Sequence, residues 1–194
     1  MAGANAAAAI LEEVVKRAVV PELKQRGFRR AGSTFRRSLT GCVQVVNVQA
    51  GRRSMEGQFT LNVGVFFPAA HAEVRELLRW DPGPRGPSEP ECTVRQRVGA
   101  LLGVEDHWWS LSPRESDRVV DEVRSAVRDV VLPWLDRCSA GEVARHEAST
   151  SQSIALSLML GDVEDARRRA RQSVLDAPQA TALHSWTRAR GLIP

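Results

Sequence analysis

Three short stretches of this chain, Val45 to Gln49, Phe59 to Phe67 and Thr93 to Val98, alternate between apolar side chains and Asn, Gln, Thr or Arg. A period of two puts successive side chains on opposite faces of a sheet, so one face can be covered by an apolar layer while the other collects amides and guanidiniums. Along the first stretch Val45, Asn47 and Gln49 share one face, and Val46 and Val48 take the other. Along the second, Thr60 and Asn62 oppose Leu61, Val63 and Val65. With Arg95 and Arg97 added, the polar set becomes a patch of guanidinium forks suited to a carboxylate or phosphate, beside amides that both donate and accept. The plainer alternative is the solvated side of an antiparallel sheet. Gly64, inside the second stretch, marks a bulge or a close backbone approach.

A chain of 194 residues, 43% hydrophobic and 26% charged, can bury a substantial core and falls in the range of globular proteins. Its basic residues are nearly all Arg, with Lys only at Lys16 and Lys24. A net charge of +4, with acids mixed among the bases, argues against a strong nucleic-acid footprint. Two Arg groups, Arg29 to Arg37 and Arg167 to Arg171, are each dense enough to touch phosphate, although a solvated face is the better explanation of both. Cys42, Cys92 and Cys138 are widely spaced and odd in number, which suggests neither a disulfide framework nor a zinc knot and fits a reducing cytoplasm. The N-terminal Ala run meets Glu12 and Glu13 early, unlike a secretory signal, and no apolar stretch reaches membrane-spanning length.

Apolar spacing predicts a helix from about Asn5 to Gly27, kinked at Pro21 or restarted there. Phe28 to Leu39 reads as a strand, a turn and the start of a second strand. Cys42 to Ala50 and Gln58 to Phe67 are the best strands and are expected to pair antiparallel. A short helix over His71 to Trp80 precedes Asp81 to Pro90, whose four prolines and two glycines read as a loop without regular structure. Cys92 to Gly99 adds a strand, with Val98 to Leu102 able to start a helix instead. Ser112-Pro113-Arg114-Glu115 has the form of a capping box, opening a helix to about Arg137 that Pro133 kinks or shortens. Beyond Gly141, helices are predicted over Ser151 to Leu160, Val163 to Leu175 and Ala180 to Arg190. The first pair is spaced like a single tetratricopeptide-type unit.

The pair Trp108-Trp109 is the other local oddity: one ring is expected to pack against the sheet and the other to close a pocket or meet a partner. Glu105, Asp106 and His107 beside it invite a general-base role, which needs partners in space rather than in sequence. His71, His107, His146 and His184 show no HxxxH or HExxH spacing, and no phosphate-binding loop, dinucleotide fingerprint or GxSxG elbow occurs. No metal site and no cofactor is therefore implied.

Taken in order, GFRRAGSTFRRSL, VQVVNVQAG, FTLNVGVFF, ECTVRQRVG and WWSL resemble a bacterial family catalogued as a domain of unknown function, numbered forty-three zero four. The likeness runs from about Val14 to Arg137. Its most specific parts are Asn47 and Gln49, Asn62 and Gly64, the Arg-x-Arg of Arg95 and Arg97, and the Trp pair. No catalytic residue comes with the resemblance. The resulting expectation is an α+β domain over 1–140, an antiparallel sheet of about four strands with helices packed on one face, plus a C-terminal helical extension over 141–194. The expected function is a cytoplasmic binding protein in which Asn47, Gln49, Asn62, Arg95 and Arg97, with Trp108 and Trp109, recognise a small anionic ligand or an acidic protein partner. A toxin-neutralising role falls within that reading. The alternative is an enzyme acting on a small anionic metabolite, which requires an enclosed pocket at the Trp pair; a nucleic-acid binder comes third. Neither a membrane association nor an oligomeric state is indicated.

Overall fold

The alternating stretches lie side by side in one antiparallel sheet. The computed structural model describes residues 2–194. Strands β1 (Arg29–Ala31), β2 (Thr34–Leu39), β3 (Cys42–Ala50) and β4 (Gln58–Phe66) form a meander, joined in its first half by tight turns. The outer edge of β4 is shared by two short strands. β5 (Val94–Arg97) pairs with Asn62 to Val65, and β6 (Trp109–Ser110) with Gln58 and Phe59. The sheet has six strands among the described residues: β1 is the first strand read in Phe28 to Leu39, and β6, at two residues, is too short to display a period-two pattern.

One face of the sheet carries Phe35, Val46, Val48, Leu61, Val63 and Val65, all buried under two helical arms. The first arm is α1 (Ala2–Val14), a π turn over Val15–Val19, and α2 (Val20–Gln25). The second is α5 (Ser116–Ala126), a π turn over Val127–Val131, and α6 (Leu132–Cys138). Each π turn lies immediately before a proline at the second position of the next segment, Pro21 or Pro133. A proline cannot donate to the carbonyl four residues back and its ring crowds it; widening the turn accommodates this without ending the helix. The wider register is visible where the Val20 N–H donates to the Val15 carbonyl and the Leu132 N–H to that of Val127. The Arg17 carbonyl, which Pro21 cannot serve, instead accepts from Arg124 Nη2 at 3.0 Å and so ties the two arms together. Both prolines are thus absorbed within continuous helical paths.

Two local expectations are corrected. Ser112 to Glu115 forms a turn, with the Glu115 N–H on the Ser112 carbonyl, and α5 starts only at Ser116; no side-chain cap forms there. The capping box lies instead in the proline-rich segment, where Ser88 and Glu91 close a short 3₁₀ turn over Glu89–Glu91, so that loop is partly regular.

The segment after β5 turns into α4 (Val98–Leu101), so the strand and helix readings of that region are both realised in succession. Helix α3 (Pro68–Leu78) leads away from β4. The C-terminal part holds α7 (Gly141–Glu147), which was not anticipated, α8 (Thr150–Met159), α9 (Val163–Asp176) and α10 (Thr181–Ala189). Their buried Ile154, Leu156, Ala166, Ala170 and Trp186 belong to the same apolar cluster as the sheet and α3. Arg190 beyond α10 pairs with Glu73 of α3. Among the described residues no helix is long and apolar enough to cross a membrane.

Candidate functional site

The strand register decides which polar side chains meet. Across the four central strands Thr34, Asn47, Asn62 and Arg97 are successive partners and form one row on the face away from the helical arms. The neighbouring row is Arg36, Val45, Gly64 and Arg95. Gln49 lies opposite Thr60 on the same face. Asn47, Gln49, Asn62, Arg95 and Arg97 therefore share a face, as the alternation expects, in three successive rows with different surroundings.

Hydrogen bonds link Gln49, Asn62 and Arg97 into one chain, while Asn47 is bonded separately to β2. Asn47 Nδ2 donates to Thr34 Oγ1 at 3.0 Å. Asn62 Nδ2 donates to Gln49 Oε1 at 2.6 Å, and Arg97 Nε donates to Asn62 Oδ1 at 3.2 Å. Arg97 Nη1 reaches both Asp106 oxygens at 3.1 Å, and its guanidinium lies 5.4 Å from the centre of the Trp108 ring. Trp108 Nε1 donates to the same carboxylate at 2.8 Å. The Trp108 indole, then Arg97, hold the Asp106 carboxyl below the usual aspartate range, so it is a poor proton acceptor at neutral pH. Asn62 is buried, Asn47, Arg97 and Trp108 are half-buried, and Gln49 is exposed. The Gln49 amide nitrogen, Asn47 Oδ1 and Arg97 Nη2 have no side-chain or backbone partner among the described residues, leaving one acceptor and two donor groups for another molecule.

The row of Val45 and Gly64 is roofed. Val45, Phe66 and Cys92 form a small second core, with Val43 and Trp80 packed against it. Gly64 settles which of its two roles applies: a Cβ there would lie 2.5 Å from Cys92 Cβ and 2.9 Å from the Val94 carbonyl oxygen, so the backbone approach requires glycine. Arg95 Nε donates to Glu89 Oε1 at 2.8 Å, and Glu89 is only 5% exposed. That guanidinium therefore neutralises a buried carboxylate of the loop. Nothing in the alternation signalled Glu89 or Asp106 as its partners, since both come from irregular segments.

The Trp pair divides between the faces. Trp109, in β6, is 3% exposed, stacks at 5.3 Å on Phe59 and takes His107 edge-on at 4.6 Å, so the structure removes it from the polar patch and places it in the core. A shallow hollow of about 400 Å³ beside it is lined mainly by apolar surface from Leu102, Ala126 and Val130. The side chains of Asp106 and His107 are not brought together: one faces Arg97, the other the Trp109 ring. Burial raises the thiol pKa of Cys92, and that of Cys138 is pushed up to about 11. Among the described residues no group of three or more His, Cys, Asp or Glu could hold a metal ion.

A family model described as "Domain of unknown function (DUF4304)" matches residues 19–137, more than half of the chain. The matched span opens at Val19 rather than Val14, which corrects the extent read from the sequence and leaves α1 outside it. No curated protein and no solved structure matches the chain.

Proposed function

We infer that this chain, which belongs to the DUF4304 family, is a binding protein whose open half-face docks a polar segment of a protein partner carrying a carboxylate. The observation that carries this reading is the chain of hydrogen bonds from Gln49 through Asn62 and Arg97 to Asp106. Four side chains are held in fixed positions before any partner arrives, which lowers the ordering cost of association. Trp108 beside them supplies a large, half-exposed ring of the kind enriched at contact sites. Asp106 already balances Arg97, so the row offers directed hydrogen bonds rather than net charge. We place the protein in a reducing compartment, the cytoplasm, because Cys42, Cys92 and Cys138 are all free and buried.

The test is affinity capture with the intact chain, with Arg97→Ala and with Gln49→Ala, against Arg118→Ala on the distant surface of α5 as control. A partner held by the native chain and by Arg118→Ala, but lost with Arg97→Ala, is expected. Identical capture by all four proteins refutes the reading.

A further inference from the structure

At one end of the sheet three guanidiniums without a carboxylate partner among the described residues converge. Most Arg residues around the sheet are matched to an acid: Arg26 and Arg37 to Asp136, Arg30 to Glu12, Arg95 to Glu89 and Arg97 to Asp106. Arg29, Arg36 and Arg85 have no such partner among the described residues. All three line one hollow of about 530 Å³ at the far end of the polar face, with Ser38 and Val43 on its floor and Pro87 in its wall. No carboxylate lines it.

The arrangement is unfavourable as it stands. Arg29 and Arg36 are direct cross-strand partners, and like charges so placed repel. Arg36 is also fixed, since its Nε donates to the Pro87 carbonyl at 2.7 Å, which holds the loop against the sheet and presents Arg85 from the opposite wall. The acids of this segment are engaged elsewhere, Asp81 with Arg75, Glu89 with Arg95 and Glu91 with Ser88. A bound anion would relieve the repulsion and accept from all three forks, and several convergent forks suit a phosphate better than a single carboxylate. The hollow has the size of a small-molecule site. We propose that the hollow between β1, β2 and the proline-rich loop is a binding site for a small phosphate-bearing ligand, held by Arg29, Arg36 and Arg85. This site is independent of the Asn62–Arg97 row and stands or falls separately from it.

Calorimetric titration of the full chain with inorganic pyrophosphate at low ionic strength tests it. Saturable binding is expected, weakened about tenfold by Arg29→Ala and by Arg85→Ala, the size of one lost charge-assisted contact. Arg118→Ala should bind as the native chain does. Arg85 is exposed and makes no hydrogen bond among the described residues, so its variant keeps the fold and the comparison valid. Absence of pyrophosphate binding, or binding undiminished in both Arg29→Ala and Arg85→Ala, overturns the proposal. So does a single-stranded oligonucleotide that binds where pyrophosphate does not, since the phosphates recognised would then be those of a nucleic acid.

Discussion

Replacing Gly64 by Ala tests whether the proline-rich segment is seated on the sheet. The added methyl would stand 2.5 Å from Cys92 Cβ, 2.7 Å from its Sγ and 2.9 Å from the Val94 carbonyl oxygen. None of these is the free end of a long side chain, so β4 and the segment bearing Cys92 must separate. Overpacking of this kind costs about 1–3 kcal/mol. For a chain of this length that corresponds to a fall in Tm of roughly 2–12 °C. Cys92, 4% exposed in the native chain, should also become more reactive. Thermal melts and thiol labelling followed by mass spectrometry report the two effects. Labelling should accelerate at Cys92 and not at Cys42 or Cys138, which lie in the other core. Cys92→Gly removes two of the three clashing atoms, so Gly64→Ala should cost less in that background, a coupling read from the double-mutant cycle. An unchanged Tm together with unchanged Cys92 labelling would refute the roofed half-face and, with it, the wall of the proposed phosphate site.

Two further outcomes follow from the ionic contacts. Because the Asp106 carboxyl is held below its ordinary range, its folded-state contribution is present at neutral pH and lost only as pH falls through that depressed value. The Trp108 indole N–H resonance should therefore keep its position through the ordinary aspartate range and shift only at lower pH, and Asp106→Asn should abolish that acid shift. In the C-terminal helices Asp165 is 7% exposed, accepts from Ser157 Oγ at 2.6 Å and Arg169 Nε at 2.6 Å, and also pairs with Arg168 and Arg145. Asp165→Ala takes away the carboxylate of the half-buried Arg169 and the partner of the buried Ser157 hydroxyl and should cost about 1.5–3 kcal/mol by denaturant unfolding; a loss below about 1 kcal/mol, the scale of exposed pairs, would show the network to be solvated.

Much of the sheet was legible because period two survives any loop arrangement. Val46, Val48, Leu61 and Val63 had to share a face once the strands paired in register, and Asn47, Asn62 and Arg97 then had to share the other. The roof was not legible. Whether Val45 and Gly64 lie under a loop depends on where Trp80 and Cys92 fold back, and a segment rich in proline and glycine carries no periodicity to say so. The helical arms were legible in extent, and what the sequence did not show is the π turn before each proline. Pro21 and Pro133 are local stop signals, yet long apolar stripes on both sides, Val14 to Leu23 and Val119 to Leu135, gain more by staying on the sheet than a broken turn costs. Trp109 and Trp108 separate because they are adjacent in an extended segment, a consequence of strand geometry that the pair itself states without saying which ring goes inward.

The two halves of the polar face also explain how one alternating pattern gives two kinds of surface. Arg95 and Arg97 read alike in sequence, and both prove to be neutralised, one by Glu89 beneath the roof and one by Asp106 at its open side. Their acids arrive on the segments flanking β5, so the positive charge that alternation promises there is consumed by the chain itself. In the β1–β2 hairpin Arg30 and Arg37 have Glu12 and Asp136, but among the described residues no acid reaches Arg29 and Arg36, and the covering segment supplies Arg85 instead. The face is consequently electrically balanced where it is hydrogen-bonded and positive where it is hollow. A partner docking on the balanced half must be chosen by shape and hydrogen-bond direction, contributions that salt screens little, whereas an anion in the hollow is held by charge that salt screens strongly. If both proposals hold, the two halves of the face take two different ligands rather than one extended anionic partner.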